Sequence, residues 1–163
     1  MVKRIQPGPG QESVWDYPRP PALRACSKPV RIELDGEVLA NTSNALCILE
    51  TSHPPTYYLP REDIEMKWLL PTAKTSYCEW KGKAAYFDIL KDAEHYKHVA
   101  WTYPDPNPAY AAIKDYIVFY AQFMDACYVG DEKVSPQPGG FYGGWVTSDV
   151  VGPFKGDPGT MGW

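Results

Sequence analysis

A histidine and a glutamate three residues apart form the first group of side chains suited to chemistry. His53 precedes Pro54 and Pro55, so its backbone is restricted to extended conformations and its ring stands on a stiff corner. An unperturbed imidazole titrates near neutral pH, which makes His53 the best-placed candidate for a general base. Glu50 is the second candidate acid–base group. A histidine that only shapes this corner is the alternative interpretation.

Cys78 is a candidate nucleophile. It lies three residues before Lys81, and a nearby cation favours the thiolate, which is the nucleophilic form. The adjacent carboxylate of Glu79 opposes this effect. A strand cysteine packed in the core is therefore the alternative to a reactive one.

Cations and aromatic rings in the same region are suited to binding a small polar or anionic molecule. An arginine presents a planar fork of donors to a carboxylate or phosphate, and a lysine presents a point charge. Aromatic rings beside such cations can form the walls for a planar ligand. The predicted ligand-binding residues are Arg61, Lys81, Tyr57, Tyr58, Tyr77 and Trp80, with Tyr86, Trp101 and Tyr103 as further aromatic candidates. An internal ion pair between Arg61 and Glu50 and a purely structural aromatic core are the alternatives.

Standard catalytic motifs are absent from the sequence. It contains no G-x-G-x-x-G after a strand, no P-loop, no H-E-x-x-H and no G-x-S-x-G. The glycine-rich segment 139–144 lacks the lysine and the following helix that a phosphate-binding loop needs. The sequence predicts no metal site and indicates no particular cofactor.

The cysteines are spread singly along the chain, at Cys26, Cys47, Cys78 and Cys127. Structural zinc sites usually draw their ligands in close pairs, so this spacing does not favour one. Two disulfides would suit a secreted protein, but the N-terminus has no apolar segment after its basic residues and does not resemble a secretion signal. We therefore expect four reduced thiols and a cytoplasmic location.

Length, charge and hydropathy restrict the class of protein. A chain of 163 residues is typical of one domain. Its net charge of −4 argues against binding to nucleic acid or to anionic membranes, which both require dense positive charge. No run of 18 apolar residues is present, so we expect no membrane span. The predicted partner is a small molecule, and the sequence leaves self-association into a homo-oligomer open.

Alternating hydrophobic residues and closely spaced turns predict a mainly β fold of antiparallel sheets. Strand-like segments lie at residues 30–34, 37–40, 45–49, 56–59, 75–78, 83–90, 96–102 and 116–120. Asp35–Gly36 predicts a tight hairpin turn, and the first three strands are expected to form a meander. Short helical turns are expected after Pro60 and within residues 109–115, and Tyr103–Pro104 is a candidate for a cis peptide bond.

Proline and glycine divide the chain into three parts. Residues 1–28 form an extended N-terminal arm, residues 29–134 a single β-rich domain and residues 135–163 a C-terminal arm. Prolines exclude a helix from the N-terminal arm, while Trp15 and Tyr17 favour its packing on the domain surface. Five aromatic residues in the C-terminal arm favour a second clasping segment over a disordered tail.

Several motifs, taken in order, resemble one known family. They are Glu50–Thr51, Pro54–Asp63, Thr75–Gly82, Ala100–Pro104 and Tyr116–Tyr120. The series is similar to the domain-of-unknown-function family DUF427, which also carries a nucleotidyltransferase label, over about residues 29–134. The resemblance implies a small β-tent-like fold in which two antiparallel sheets meet at an angle. It implies no settled activity, and the sequence lacks the clustered acidic ligands and the glycine–serine loop of nucleotidyltransferases.

Three hypotheses about function follow from these observations. The first is a protein that binds a small polar or anionic molecule between residues 50–61 and 77–81, with or without catalysis. The second is a non-catalytic interaction or assembly module that uses its aromatic arms. The third is a nucleotidyltransferase, which rests on the family label alone. Arg61 and Lys81 in one cavity would favour the first hypothesis, and arms folded onto their own domain would weigh against the second.

Overall fold

The computed structural model describes residues 2–163 and shows a mainly β protein with antiparallel sheets, as the sequence predicted. The strands are β1 Glu12–Ser13, β2 Ala22–Ala25, β3 Val30–Leu34, β4 Glu37–Thr42, β5 Leu46–Leu49, β6 Thr56–Tyr58, β7 Leu69–Cys78, β8 Gly82–Lys91, β9 Glu94–Thr102, β10 Ile117–Phe119, β11 Ala126–Val129, β12 Glu132–Lys133, β13 Ser135–Pro136, β14 Trp145–Val146 and β15 Val150–Val151. Short 3-10 helices span Val14–Asp16, Arg61–Asp63, Met66–Trp68, Pro108–Ile113 and Ala121–Phe123. Within the described residues, no helix combines the length and the apolar character that a bilayer crossing requires.

Three larger sheets form the framework. One has the strand order β12-β11-β3-β4, the second has the order β10-β9-β8-β7, and the third has the order β2-β5-β6. Neighbouring strands in all three pair antiparallel. Two small sheets, β1-β15 and β13-β14, are built from strands of the two arms.

The predicted meander of the first three strands is wrong. β3 and β4 form the expected hairpin, but β5 pairs with β2 on one side and with β6 on the other. The far edge of β4 is instead bridged by Ile64 through Ala40, and the free edge of β3 is taken by β11. A strand edge can pair with any other strand edge that the fold places beside it. The order of the strands along the sequence therefore did not determine which strands pair.

Two hairpin turns use positive backbone φ angles. Asp35 and Gly36 have φ of 51° and 76°, which is the conformation expected for the predicted two-residue turn between β3 and β4. Asp92 and Ala93, between β8 and β9, adopt φ of 50° and 69°. The sequence predicted only a loop at this second turn, because alanine seldom adopts a positive φ.

Other local predictions had mixed outcomes. The helical turn after Pro60 is the 3-10 helix Arg61–Asp63, and the turn within residues 109–115 is the 3-10 helix Pro108–Ile113. The cis peptide bonds of the described chain are Arg19–Pro20 and Gly152–Pro153, so Tyr103–Pro104 is not one of them.

Both arms pack on the domain and on each other. β1 in the N-terminal arm pairs with β15 in the C-terminal arm. The indole nitrogen of Trp15 donates a hydrogen bond to the carbonyl oxygen of Pro153 at 2.8 Å, and its ring packs edge-on against Trp163 at 5.2 Å. These contacts use Trp15 and Trp163 internally, which weighs against a role of these two rings in docking a partner, whereas Phe141 and Met161 in the C-terminal arm are exposed.

Trp145 anchors the C-terminal arm in the main hydrophobic core. Its side chain is 1% exposed and stacks on the ring of Tyr57 at a centroid distance of 5.0 Å. Its indole nitrogen donates a hydrogen bond to the carbonyl oxygen of Phe119 at 3.0 Å. The strand β6, the strand β10 and the arm therefore meet at one side chain.

Replacing this anchor should destabilise the whole protein. We expect Trp145→Ala to lower the free energy of unfolding by about 3–5 kcal/mol, because the change removes a large buried ring and leaves a cavity. Met161→Ala, an exposed position in the same arm, should change it by less than about 0.5 kcal/mol. Urea unfolding followed by circular dichroism measures both. Equal stability of the two variants would show that the arm is not anchored here.

Candidate functional site

A pocket of about 470 Å³ lies between the β7–β8 hairpin, the β5–β6 segment and the C-terminal arm. All three candidate chemical groups, Glu50, His53 and Cys78, line it. Of the predicted ligand-binding residues, Lys81, Tyr58, Tyr77 and Trp80 line it as well. The structure therefore brings the two sequence stretches together, as their composition had suggested.

Arg61 and Tyr57 are not among the residues that line this pocket. The Arg61 side chain donates from Nε to the carbonyl oxygen of Asp115 at 2.7 Å and lies over the ring of Phe87. Tyr57 stacks on Trp145 in the main core. Neighbouring residues in a strand point to opposite faces, so Tyr57 and Tyr58 could not both face the pocket.

One wall of the pocket is aromatic. Tyr86, Trp101 and Tyr103 belong to it, as the sequence allowed, and Tyr120 adds a further ring. Tyr58 is 0% exposed, and its hydroxyl is the buried side-chain polar atom within residues 2–163 that has no hydrogen-bond partner. Burial raises the pKa of Tyr58, so the hydroxyl keeps its proton and remains a donor.

The C-terminal arm supplies lining residues that the sequence did not reveal. Phe141, Tyr142, Gly143 and Lys155 all line the pocket. A side chain at Gly143 would overlap the ring of Trp101, so glycine is required for the close approach of the arm. These residues are separated from the other lining residues by long stretches of chain, and the aromatic residues of the arm were the only sequence signal.

A chain of hydrogen bonds fixes the protonation of His53. The backbone N–H of Gly144 donates to Oε1 of Gln137 at 3.1 Å, so the Gln137 amide must present its NH₂ group on the other side. That group donates to the carbonyl oxygen of Lys155 at 2.9 Å and lies 2.9 Å from Nδ1 of His53. Nδ1 therefore accepts, which places the proton of the neutral ring on Nε2, at 3.5 Å from Oε2 of Glu50.

His53 is a neutral hydrogen-bond donor at neutral pH. Burial lowers its pKa to about 4; Glu50 opposes this shift, while Lys155, Arg19 and Lys81 add to it. With Nδ1 engaged by Gln137 and Nε2 protonated, the ring has no free lone pair with which to take a proton. This arrangement suits ligand orientation better than the general-base role that the sequence suggested.

The pocket is lined by two lysines, Lys81 and Lys155, and by two carboxylates, Glu50 and Glu79. Among residues 2–163, neither Lys81 nor Lys155 has a carboxylate within 4.0 Å of its amine. The carboxylate of Glu50 is paired with Nε of Arg19 at 3.2 Å, so the alternative of an internal ion pair between Arg61 and Glu50 is wrong. Each lysine lies over an aromatic ring, Lys81 at 5.8 Å from Tyr103 and Lys155 at 5.4 Å from Tyr142.

The turn that carries Lys81 is held by a neighbouring loop. The side-chain amide of Asn107 donates to the carbonyl oxygen of Trp80 at 2.8 Å, and its backbone N–H donates to that of Lys81 at 2.9 Å. Gly82 follows with a φ of 109°, which a residue with a side chain would not readily adopt. The backbone conformation of this turn therefore holds Lys81 at the pocket.

The cysteines and possible metal ligands add two observations. All four cysteines are free thiols, as predicted, and Cys78 is half-buried where it lines the pocket. In the part of the chain that the structure describes, no three histidine, cysteine, aspartate or glutamate side chains are grouped so as to hold a metal ion.

Comparison with known protein families gives one match. The family model NTP_transf_9, described as Domain of unknown function (DUF427), matches residues 22–130. The chain belongs to this family. The resemblance seen in the sequence motifs is thereby confirmed. No curated protein matches the chain.

The pocket extends beyond the part of the chain that matches the DUF427 model. The walls from β5 to β9 lie within residues 22–130, whereas Phe141, Tyr142, Gly143 and Lys155 lie after it. One of the two unpaired lysines therefore comes from the DUF427 domain and the other from the arm that follows it.

His53 should make the protein less stable in mild acid. The unfolded chain binds a proton at this residue below about pH 6.5, whereas the native state resists protonation until about pH 4. The free energy of unfolding should therefore fall as pH drops through this range, by up to about 3 kcal/mol from this group. Urea unfolding at several pH values measures the effect.

The matched control is a second histidine. His53→Gln should lose this part of the pH dependence, because glutamine does not titrate, while His95→Gln, at an exposed position, should retain it. Identical pH dependence in the wild type and His53→Gln would contradict the assignment.

Proposed function

We propose that this DUF427 protein binds a small anionic molecule with a planar, apolar portion. The observation that carries the proposal is the pair of lysines, Lys81 and Lys155, which line one aromatic pocket without carboxylate partners. An unpaired cation at a pocket lined by low-dielectric rings attracts an anion more strongly than one on an open surface. The family description itself assigns no activity.

The remaining lining groups suit the two ends of such a ligand. The two lysines would hold the anionic group, and the rings of Trp101, Tyr103 and Tyr120 would pack against the planar part. A volume of about 470 Å³ is within the usual range for small-molecule sites, about 300–1,000 Å³.

The proposal is one of binding, and catalysis would be an addition to it. Glu50 and Cys78 line the same pocket and are the side chains through which a bound ligand would react. The nucleotidyltransferase label of the family makes nucleotides one class of anion to be tested.

We place the binding in the cytoplasm, where free thiols such as those of the four cysteines stay reduced.

A thermal-shift screen tests the proposal. The panel contains aromatic carboxylates, nucleoside monophosphates, inorganic phosphate and sulfate, each organic anion being matched with its neutral amide or nucleoside. A ligand at about 100 times its Kd adds about 2.7 kcal/mol to the free energy of unfolding. We expect a shift with a planar anion and a smaller one with its neutral analogue. No shift with any anion, or equal shifts with the neutral analogues, would overturn the proposal.

Removing either unpaired lysine should weaken binding of the anion found in the screen. We expect Lys81→Met and Lys155→Met each to raise its Kd about tenfold or more, since a hydrogen bond to a charged group contributes about 1.5–3 kcal/mol. Lys83→Met makes the same change at an exposed position outside the pocket and should leave Kd unchanged. Titration calorimetry compares the three variants. Equal losses in all three would show only a general effect of net charge.

The buried hydroxyl of Tyr58 should oppose stability. Tyr58→Phe removes an unsatisfied donor, so the free protein should become more stable by about 1–3 kcal/mol. The same change should leave the Kd for the ligand nearly unchanged, because the hydroxyl has no exposed surface with which to contact a ligand. Tyr128→Phe, outside the pocket, is the control for both measurements. A less stable Tyr58→Phe protein would mean that the hydroxyl already has a partner.

A further inference from the structure

A second cavity, of about 450 Å³, brings two cysteines together on the opposite face of β5. Successive residues of β5 point to opposite sides, so Ile48 lines the first pocket while Cys47 lines the second. Cys26, which directly follows β2, lines the second cavity as well. Neither thiol has a part in the binding proposed above.

The sheet register places Cys26 and Cys47 on one face as diagonal neighbours. Arg24 lies opposite Cys47, and the backbone N–H of Cys26 donates to the carbonyl oxygen of Ala45 at 2.9 Å, which continues the ladder by two residues. Diagonal Cα atoms in such a pair are about 7–8 Å apart, and disulfides usually span about 4.4–6.8 Å. Joining them therefore requires a movement of the backbone, and β2 is an edge strand of its sheet.

The two thiols differ in accessibility and acidity. Cys26 is half-buried, and the thiol of Cys47 beside it lowers its pKa to about 6, with Lys28 and Arg24 contributing and burial opposing. Cys47 is only 4% exposed, and its pKa is raised by Cys26 and by burial. This asymmetry is typical of an attacking and a resolving thiol.

Other charged groups at this cavity are already paired with each other. Glu12 lies 2.9 Å from Arg24, and Asp149 lies 3.0 Å from Lys28. The cations therefore act on Cys26 as members of ion pairs, and the neighbouring thiol remains the main cause of its acidity. The hydroxyl of Tyr57, whose pKa is raised by burial, stays neutral.

We propose that Cys26 and Cys47 form a reversible dithiol–disulfide pair, in which Cys26 exchanges with low-molecular-weight disulfides and Cys47 resolves the product. The juxtaposition of an accessible and a buried thiol on adjacent strands of one cavity carries the proposal.

The exchange occurs in two balanced steps. The Cys26 thiolate attacks one sulfur of the small disulfide RSSR, forming a Cys26–SR bond and releasing RS⁻. The Cys47 sulfur then attacks Sγ of Cys26, the Cys26–SR bond breaks, and the departing RS⁻ takes up the proton of Cys47. The protein loses two electrons, which the small disulfide gains as its sulfur–sulfur bond is broken.

Incubation with oxidised and reduced glutathione in varied ratios tests the proposal on the full chain. Samples are quenched with an alkylating agent and mapped by mass spectrometry of the peptides. We expect a peptide pair that links Cys26 to Cys47 and disappears on reduction. Cys47→Ser should stop at the mixed disulfide of Cys26 with glutathione, and Cys26→Ser should form neither product. Cys78→Ser, at a half-buried thiol outside this cavity, should retain the internal disulfide.

A second measurement does not depend on disulfide formation. The rate at which iodoacetamide alkylates Cys26 should reach half its plateau at a lower pH than that of an ordinary thiol, which does so near about pH 8.5. Replacing Cys47 should move this midpoint upward, because its thiol is the main cause of the shift. A Cys26 that reacts like an ordinary thiol, or a wild type that accumulates only the glutathione adduct, would overturn the proposal.

Discussion

The burial of one indole ring holds the pocket together. Trp145 lies on Tyr57 and donates a hydrogen bond to Phe119, so the C-terminal arm is fixed to two strands of the domain. From that anchor the arm places Gln137 and Lys155 around His53. A ring of this size buries about 150–250 Å², which makes the anchor strong enough to order a glycine-rich segment that would otherwise have little reason to fold.

Desolvation by the arm sets the character of the candidate site. Once the arm is in place, His53 is buried, neutral and locked in one tautomer by the amide of Gln137. Lys81 and Lys155 line the pocket, while the carboxylate of Glu50 is paired with Arg19. Without the arm, His53 and Lys81 would lose the lining residues Tyr142 and Gly143, and the desolvation that lowers the pKa of His53 would be smaller. The arm therefore supplies part of the pocket lining and also changes the electrostatic environment of the groups in the pocket.

A single strand separates two sites with different chemistry. β5 presents Ile48 to the anion pocket on one face and Cys47 to the thiol cavity on the other. Its partner β6 divides in the same way, with Tyr58 on the pocket side and Tyr57 on the core side. Successive residues of a strand point to opposite faces. Cys47 and Ile48 on β5, like Tyr57 and Tyr58 on β6, therefore lie in different environments.

Local features of the chain were readable from the sequence because they depend on backbone preferences. Asp35–Gly36 favours positive φ, Pro60 favours the start of a helical turn, and alternating apolar residues favour strands, so the mainly β fold and its first hairpin were predicted. The ordered motifs around Glu50–Asp63 and Thr75–Gly82 also indicated the DUF427 family correctly. The candidate chemical residues Glu50, His53 and Cys78 were chosen by residue type and spacing, and all three line one pocket.

Only the tertiary structure decided which of those residues share a cavity. In the folded chain β5 pairs with β2 and β6. This pairing places Tyr58 on the pocket side of β6 and Tyr57 on the other side. The return of the arm brought Lys155 to the pocket across more than 70 residues from Lys81, while Arg61 was engaged by a backbone carbonyl instead. Such contacts depend on the packing of segments that are distant in the sequence, so they cannot be predicted from the local conformational preferences of the chain.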